Sequence, residues 1–197
     1  PGTTPTLDPA PTRSHLPNGK VSQAEGPGAY LRPGLNQCEG PAKVGMTFAR
    51  IIRAMRRQNP NIRLVGEIRD EETANTAIQA SLTGHLVFST LHTNDAPSAI
   101  TRLVDIGVQP FLVASSVMAV LAQRLVRKVC PKCKTRIEPP PHVLQGLGLR
   151  PEIAKKANFM KGKGCSNCNK TGYRGRMGIY EMMMMTSVIR DMTFKGD

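Results

Sequence analysis

Long apolar runs, aromatic side chains and acidic side chains are all scarce in this 197-residue chain. The longest uncharged apolar run, Pro110 to Gln123, is only about two-thirds of the ~20 residues a membrane-spanning helix needs, so it is read as a buried helix. No charged start followed by an apolar segment opens the chain, which argues against a secretory signal and makes the cytoplasm the expected compartment. Tryptophan is absent and aromatics make up 4% of the residues. Only Phe159 and Tyr173 lie near the densest basic residues, so platforms for stacking single-stranded bases are few. Acidic residues number 14 against 27 Lys and Arg, a net charge of +13. What is present suffices for a fold: 40% hydrophobic residues can bury a core, and the length suits one domain with a small satellite.

Composition divides the chain into parts. Residues 1–45 hold eight Pro and seven Gly with no apolar period, and are expected to form a disordered tail. Residues 46–129 read as an α/β core, 130–178 as a small Cys-containing subdomain, and 179–197 as a closing helical segment. The charge is local: between Leu121 and Gly178 there are 14 Lys or Arg against Glu138 and Glu152, a net of +12. In the last segment, Met182 to Met185 is expected to pack as helical core with Ile179 and Ile189.

Within the core, Phe48, Ile51, Ile52 and Met55 have the spacing of one helical face, and Asn59-Pro60-Asn61 ends that helix. Ile62 to Ile68 is a short, β-branched apolar run, a buried strand ending near Glu67. Asp70 can cap the next helix, Glu71 and Glu72 sit favourably in its first turn, and Gly84 fits the position just past its end. His85 to Leu91 reads as a second strand. Strand, helix and strand joined by short turns make a βαβ unit, which is parallel and right-handed. Both carboxyl ends then share one edge, the ligand-binding edge of open α/β sheets. That edge receives Glu67, Arg69 and Asp70 from one strand and Ser89, Thr90, His92, Thr93 and Asn94 from the other. Either these groups converge on a ligand, or Glu67 is a solvated strand end and His92 is structural. Ser98 to Ile106 and Pro110 to Val129 read as two further helices.

Cys130-Pro131-Lys132-Cys133 and Cys165-Ser166-Asn167-Cys168 are two C-x₂-C pairs with 31 residues between them. Each pair can present two sulfurs to one ion, and four thiolates suit tetrahedral Zn²⁺. The intervening loop is longer than in common zinc ribbons, but closure entropy grows only logarithmically with length. Four Cys ligands leave no open coordination position, so the ion would be structural. Redox-active thiols are the alternative reading. Cys38 stands alone and is assigned no role.

Several stretches are familiar. Gly45-Met46-Thr47-Phe48-Ala49-Arg50, Arg57-Gln58-Asn59-Pro60-Asn61, Val65-Gly66-Glu67-Ile68-Arg69-Asp70, Ala80-Ser81-Leu82-Thr83-Gly84-His85 and Ser89-Thr90-Leu91-His92-Thr93-Asn94 resemble the secretion ATPases, the hexameric motors of type II secretion and type IV pilus assembly. The likeness continues through Ala122-Gln123-Arg124-Leu125-Val126, the cysteine pairs and Gly172-Tyr173-Arg174-Gly175-Arg176. It implies an α/β fold: part of a RecA-like nucleotide-hydrolase core, a parallel sheet with helices, plus the tetracysteine zinc subdomain. It places Val65-Gly66-Glu67 as a Walker B segment, with Glu67 polarising the attacking water or helping hold Mg²⁺. It places Gly84 to His92 as a His box, with His92 and nearby Thr90 sensing or stabilising the γ-phosphate. Gly66, Arg69, Asp70 and His85 join the expected nucleotide-binding set. Arg124 and Arg127 are candidates for phosphate or intersubunit contact, with exposed surface arginines as the alternative.

One requirement of that chemistry is missing. A phosphate-binding loop needs Gly-x-x-x-x-Gly-Lys-Ser/Thr, whose backbone amides cradle phosphates and whose hydroxyl binds Mg²⁺. Gly19-Lys20 is followed by Val21, and Gly162-Lys163 by Gly164, so neither satisfies it. The expectation is therefore the C-terminal part of such an ATPase, a truncated product or a partial sequence, that does not bind ATP tightly alone. The complete protein would use ATP and Mg²⁺, and the chain would assemble as a homo-hexamer with complete subunits. It would act at the cytoplasmic face of the bacterial inner membrane, against secretion or pilus platform proteins, with anionic lipid a further candidate partner. A zinc-ribbon module for nucleic acid is the rival reading of the basic lobe, disfavoured by the lack of aromatics; an inactive oligomerising fragment is a third.

Overall fold

The computed structural model describes residues 20–26, 31, 33–40, 45–148 and 151–196. The chain divides into two compact units, one containing the residues up to Gln123 and from Tyr180 onward, the other Arg124–Ile179.

The first unit is built on a four-stranded parallel sheet in the order β2-β1-β3-β4. Its strands are β1 (Val21–Glu25), β2 (Asn36–Glu39), β3 (Ile62–Val65) and β4 (Leu86–Ser89). β1 and β2 correct the expectation that residues 1–45 are disordered. β1 is buried along its whole length, and its register with β3 aligns Ala24 with Val65. The rest of the stretch assigned to the tail lies mostly outside the described residues. Polar Val-Ser-Gln-Ala-Glu gives no apolar run to read; burial comes from neighbours distant in sequence.

Helix α1 (Phe48–Arg56) is capped by Thr47, whose side chain accepts from the Arg50 amide, and it buries Ala49, Ile51, Ile52 and Met55. Ile51 and Met55 pack on Ala24 of β1, each large side chain gaining about 1.5–3 kcal/mol from leaving water. The expected βαβ unit is present. Helix α2 (Glu71–Leu82) joins β3 to β4, which pair in parallel with Ile62 opposite Leu86 and Val65 opposite Ser89. Asp70 caps α2, accepting from the Thr73 amide at 2.8 Å and the Thr73 hydroxyl at 3.0 Å. Gly84 follows with φ of 89°, the left-handed conformation that glycine adopts without strain. Ala74, Ala77 and Ile78 then form a core with Leu103 of α3 (Pro97–Asp105) and Val113 of α4 (Pro110–Ser116).

The helix expected over Pro110 to Val129 stops at Ser116. Val117 is already extended, with ψ of 129°, and β5 (Ala119–Val129) follows, paired with β8 (Tyr173–Met184). β8 also corrects the helical reading of Met182 to Met185. Met182 and Met184 are exposed on a strand, and Met185 alone of the run is buried. Only after it does the closing helix α7 (Ser187–Lys195) begin, capped by Thr186. α7 returns to α4, where Arg190 donates to the Ala114 carbonyl.

The second unit contains β6 (Lys134–Arg136) and β7 (Met160–Gly162), which pair antiparallel. Between them lie two single-turn helices, α5 (Pro141–Gly146) and α6 (Pro151–Lys156). A 3₁₀ turn, Ser166–Cys168, follows β7. No helix among the described residues is long and apolar enough to cross a membrane.

Candidate functional site

Parallel pairing delivers the ends of β1, β3 and β4 to one edge of the sheet, and chemistry-bearing residues collect there. Past β3, Gly66 donates its amide to the Ala24 carbonyl at 2.7 Å, continuing the ladder with β1. A Cβ at Gly66 would lie 3.2 Å from both the Ala24 carbonyl oxygen and the Glu25 Cα, so a side chain here would push the two backbones apart by a few tenths of an ångström. The Ile68 amide donates to the Thr90 carbonyl at 3.0 Å, and the Thr90 hydroxyl donates to the Gly66 carbonyl at 2.7 Å. These bonds tie the segment after β3 to the one after β4 and fix where Glu67 and His92 emerge.

Glu67 is the junction. Its Oε2 accepts from Arg69 Nε at 2.7 Å and lies 3.3 Å from His92 Nε2. The carboxylate is about one-quarter exposed, whereas His92 projects into solvent. A half-sheltered carboxylate held between a guanidinium and an imidazole on adjacent strand ends can order a water, accept its proton or help bind a cation. Thr90 acts on the backbone in this arrangement, through Gly66.

Glu25 sits at the same edge, at the end of β1, with its Cγ 3.3 Å from the Cβ position of Gly66. The sequence alone does not point to it, because the polar stretch Val21–Glu25 has no apolar run that marks a strand. Its only signal is position: an acidic residue closing a strand parallel to the one that carries Glu67.

Two expected members are elsewhere. The Asp70 carboxylate is engaged in capping α2. His85 precedes β4, at the end opposite Thr90, with Nδ1 3.1 Å from the Ala80 carbonyl and 3.1 Å from the Thr83 hydroxyl. It closes the turn from α2 into β4. Arg124 and Arg127 belong to the second unit, where both are exposed and the Arg127 guanidinium lies 4.2 Å from the Tyr173 ring centroid, a cation–π contact.

The second unit gathers the four cysteines. All four Sγ atoms lie within 4.8 Å of one another, with Cys130 to Cys165 at 3.9 Å and Cys133 to Cys168 and Cys165 to Cys168 at 3.8 Å. Four sulfurs each about 2.3 Å from a central Zn²⁺ in a tetrahedron stand about 3.8 Å apart, so the donor set fits the ion. These separations are far from a disulfide's ~2.05 Å. Hydrogen-bond donors surround the sulfurs, as thiolate ligands require. Asn167 Nδ2 donates to Cys130 Sγ at 3.4 Å, while the Cys165 and Gly172 amides donate to Cys168 Sγ at 3.2 and 3.3 Å. The Asn167 contact foremost brings the Cys130 thiol down to about 6, and the Cys165 amide lowers Cys168. Burial pushes the Cys133 thiol up to about 12.

Close backbone approach holds this cluster. A Cβ at Gly162 would fall 2.1 Å from the Gly172 carbonyl oxygen, and one at Gly172 would fall 2.6 Å from the Gly162 carbonyl oxygen. The Gly172 carbonyl in turn accepts from the Cys130 amide at 2.9 Å. The second cysteine pair is thus placed by β7 and the start of β8.

Known proteins resemble this chain in sequence and in fold. The family described as type II/IV secretion system protein matches residues 2–196. The type II secretion system protein E of Pseudomonas aeruginosa is 48% identical over 97% of this chain, which covers 38% of that protein. The type IV pilus assembly ATPase PilB of Thermus thermophilus is 47% identical over 93% of this chain, which covers 21% of its length. The chain thus spans well under half of these curated relatives. Among solved structures, the pilus retraction motor PilT with bound ADP superposes with a TM-score of 0.61 at 26% identity, covering 90% of this chain and 42% of that one. The ATPase DotB of Legionella pneumophila, at 21% identity and a TM-score of 0.59, shares the fold.

Proposed function

The chain belongs to the type II/IV secretion system protein family, and on that premise we propose that it is the C-terminal part of a motor ATPase that drives type II secretion or type IV pilus assembly. One observation carries the reading: Glu67 and His92 emerge from adjacent parallel strands and meet at 3.3 Å on the ligand-binding edge of the sheet.

In this reading Val65-Gly66-Glu67 is the Walker B segment. Glu67 orients and deprotonates the attacking water, or shares in holding Mg²⁺, with Glu25 supplying a second carboxylate from β1. His92 faces the γ-phosphate. Thr90 positions both groups by anchoring the Gly66 carbonyl. Arg69 neutralises Glu67 at rest and must release it as the site engages nucleotide. Mg²⁺, held with the help of Glu67, would supply the positive charge that neutralises the phosphates. Arg124 and Arg127 are assigned to contacts with phosphate or a neighbouring subunit. Six complete subunits in a ring would convert turnover into movement at the inner membrane, working on platform proteins.

The phosphate loop is absent from this sequence, so activity requires the upstream part of a complete relative. Fusion of residues 20–197 behind that part should restore ATP binding and hydrolysis, whereas the 197-residue chain alone should show no binding at micromolar ATP by isothermal titration calorimetry. Micromolar binding by the isolated chain overturns this reading.

The tetracysteine cluster is assigned to structural Zn²⁺, which would cross-link a lobe with few buried apolar residues of its own. Its chemistry is confined to holding the lobe together, since four ligands leave no place for water or substrate.

A further inference from the structure

Arg174 is an exposed arginine on β8 that neither the ATPase reading nor the set of four sulfur ligands uses. Its guanidinium turns back onto the second cysteine pair. One nitrogen, Nη1, donates to the Asn167 backbone carbonyl at 2.8 Å and also to the Asn167 side-chain oxygen, Oδ1. The short chain between the two residues is braced. The Thr171 hydroxyl donates to the Cys168 carbonyl at 2.6 Å and accepts from the Tyr173 amide at 3.3 Å. Tyr173, and with it the start of Arg174, is thereby fixed against the turn that carries Cys165 and Cys168.

Asn167 stands between Arg174 and the sulfurs. It is half-buried in the 3₁₀ turn Ser166–Cys168, and its Nδ2 donates at 3.4 Å to Sγ of the fully buried Cys130. An asparagine amide offers an acceptor oxygen on one side and a donor nitrogen on the other, and its hydrogen-bond partners decide which way it faces. A guanidinium has donors only. Arg174 therefore takes Oδ1, which leaves Nδ2 for the sulfur. With the amide reversed, an oxygen lone pair would face a thiolate and an NH₂ group would face a guanidinium, two repulsive contacts in place of two hydrogen bonds.

We propose that Arg174 is a positioning residue of the metal site: through the Asn167 amide it locks a hydrogen-bond donor onto Cys130 Sγ and so strengthens Zn²⁺ binding. The inference rests on the zinc assignment made above. Four thiolates around one Zn²⁺ carry a net charge of about −2, so a donor aimed at one sulfur stabilises the loaded site. An amide free to turn would supply that donor only part of the time.

The test is the zinc affinity of the 197-residue chain, by competition with a chromophoric chelator, for the parent, Arg174→Ala, Asn167→Ala and the double variant. High salt screens the bare charge of the exposed guanidinium, leaving its hydrogen bonds to be read. Each single substitution should weaken binding about tenfold, and the double should match Asn167→Ala within about twofold. A purely structural Arg174 gives a different result, because its bond to the backbone carbonyl at position 167 survives in Asn167→Ala and would still be there to lose. With Co²⁺ in place of Zn²⁺, the thiolate-to-metal charge-transfer band should move to longer wavelength in both single variants, since a sulfur stripped of its donor gives up an electron more readily. Unchanged affinity in Arg174→Ala, a further loss in the double variant, or an unmoved cobalt band each overturns the proposal. A parent chain that binds no Zn²⁺ overturns the zinc assignment along with it.

Discussion

Arg63 shows how much a single side chain can tell. It lies on β3, aligned with Ser22 of β1 and Val87 of β4, and is 1% exposed. None of its three guanidinium nitrogens has a hydrogen-bond partner among the described residues. Burial, with Arg56 adding like-charge repulsion, pulls its pKa below the usual arginine value. A buried, unpartnered cation is destabilising, and an apolar chain of similar length is better tolerated. Arg63→Met is therefore expected to stabilise the first unit by about 1–3 kcal/mol in urea unfolding. Loss of stability would instead reveal a partner for Arg63. The residues that were legible in sequence were those with local chemistry: Asp70 as a cap, Gly84 as a helix terminator, the two C-x₂-C pairs. Glu25 was not, since its meaning depends on a parallel neighbour 41 residues away in sequence, Gly66.

Among the elements, β3, α2 and β4 followed from apolar runs bounded by a cap and a glycine. β5 and the Met-rich end of β8 were hidden for a different reason. Neither stretch carries a turn signal that separates strand from helix, and each finds its partner about fifty residues away. The apolar stretch before β5 looks equally suited to a helix, and pairing decides. β8 begins where the metal cluster is braced. Gly172 has φ of 77° and its backbone lies against Gly162, so Gly172→Ala introduces both strain and collision. Zinc affinity should fall at least tenfold in competition with a chromophoric chelator, while the sheet of the first unit keeps its stability. Unchanged affinity would mean that the cysteines, not the crossing backbones, set the geometry.

At the scale of the whole molecule, the charge and the chemistry are divided between the two units. The first carries the Glu67–His92 edge; the second carries the thiols and most of the net positive charge. Zinc binding should be pH-dependent in a specific way. Near neutral pH Cys133, pushed up to about 12, keeps a proton that the ion must displace, so apparent affinity rises with pH. Cys130, held at about 6, is already a thiolate at pH 7 and takes up a proton only below that value, so the loss of affinity steepens there. A titration flat from pH 5 to pH 8 would contradict thiolate ligation.

Glu67, at the end of β3, is proposed to perform hydrolysis in the complete motor. Steady-state ATP turnover by the fused protein, with the native residue and with Glu67→Gln, tests it most directly. The amide keeps the size of the side chain but cannot take a proton from water, so kcat should fall at least a hundredfold while ATP binding persists. Turnover within a few-fold of the parent would contradict the account.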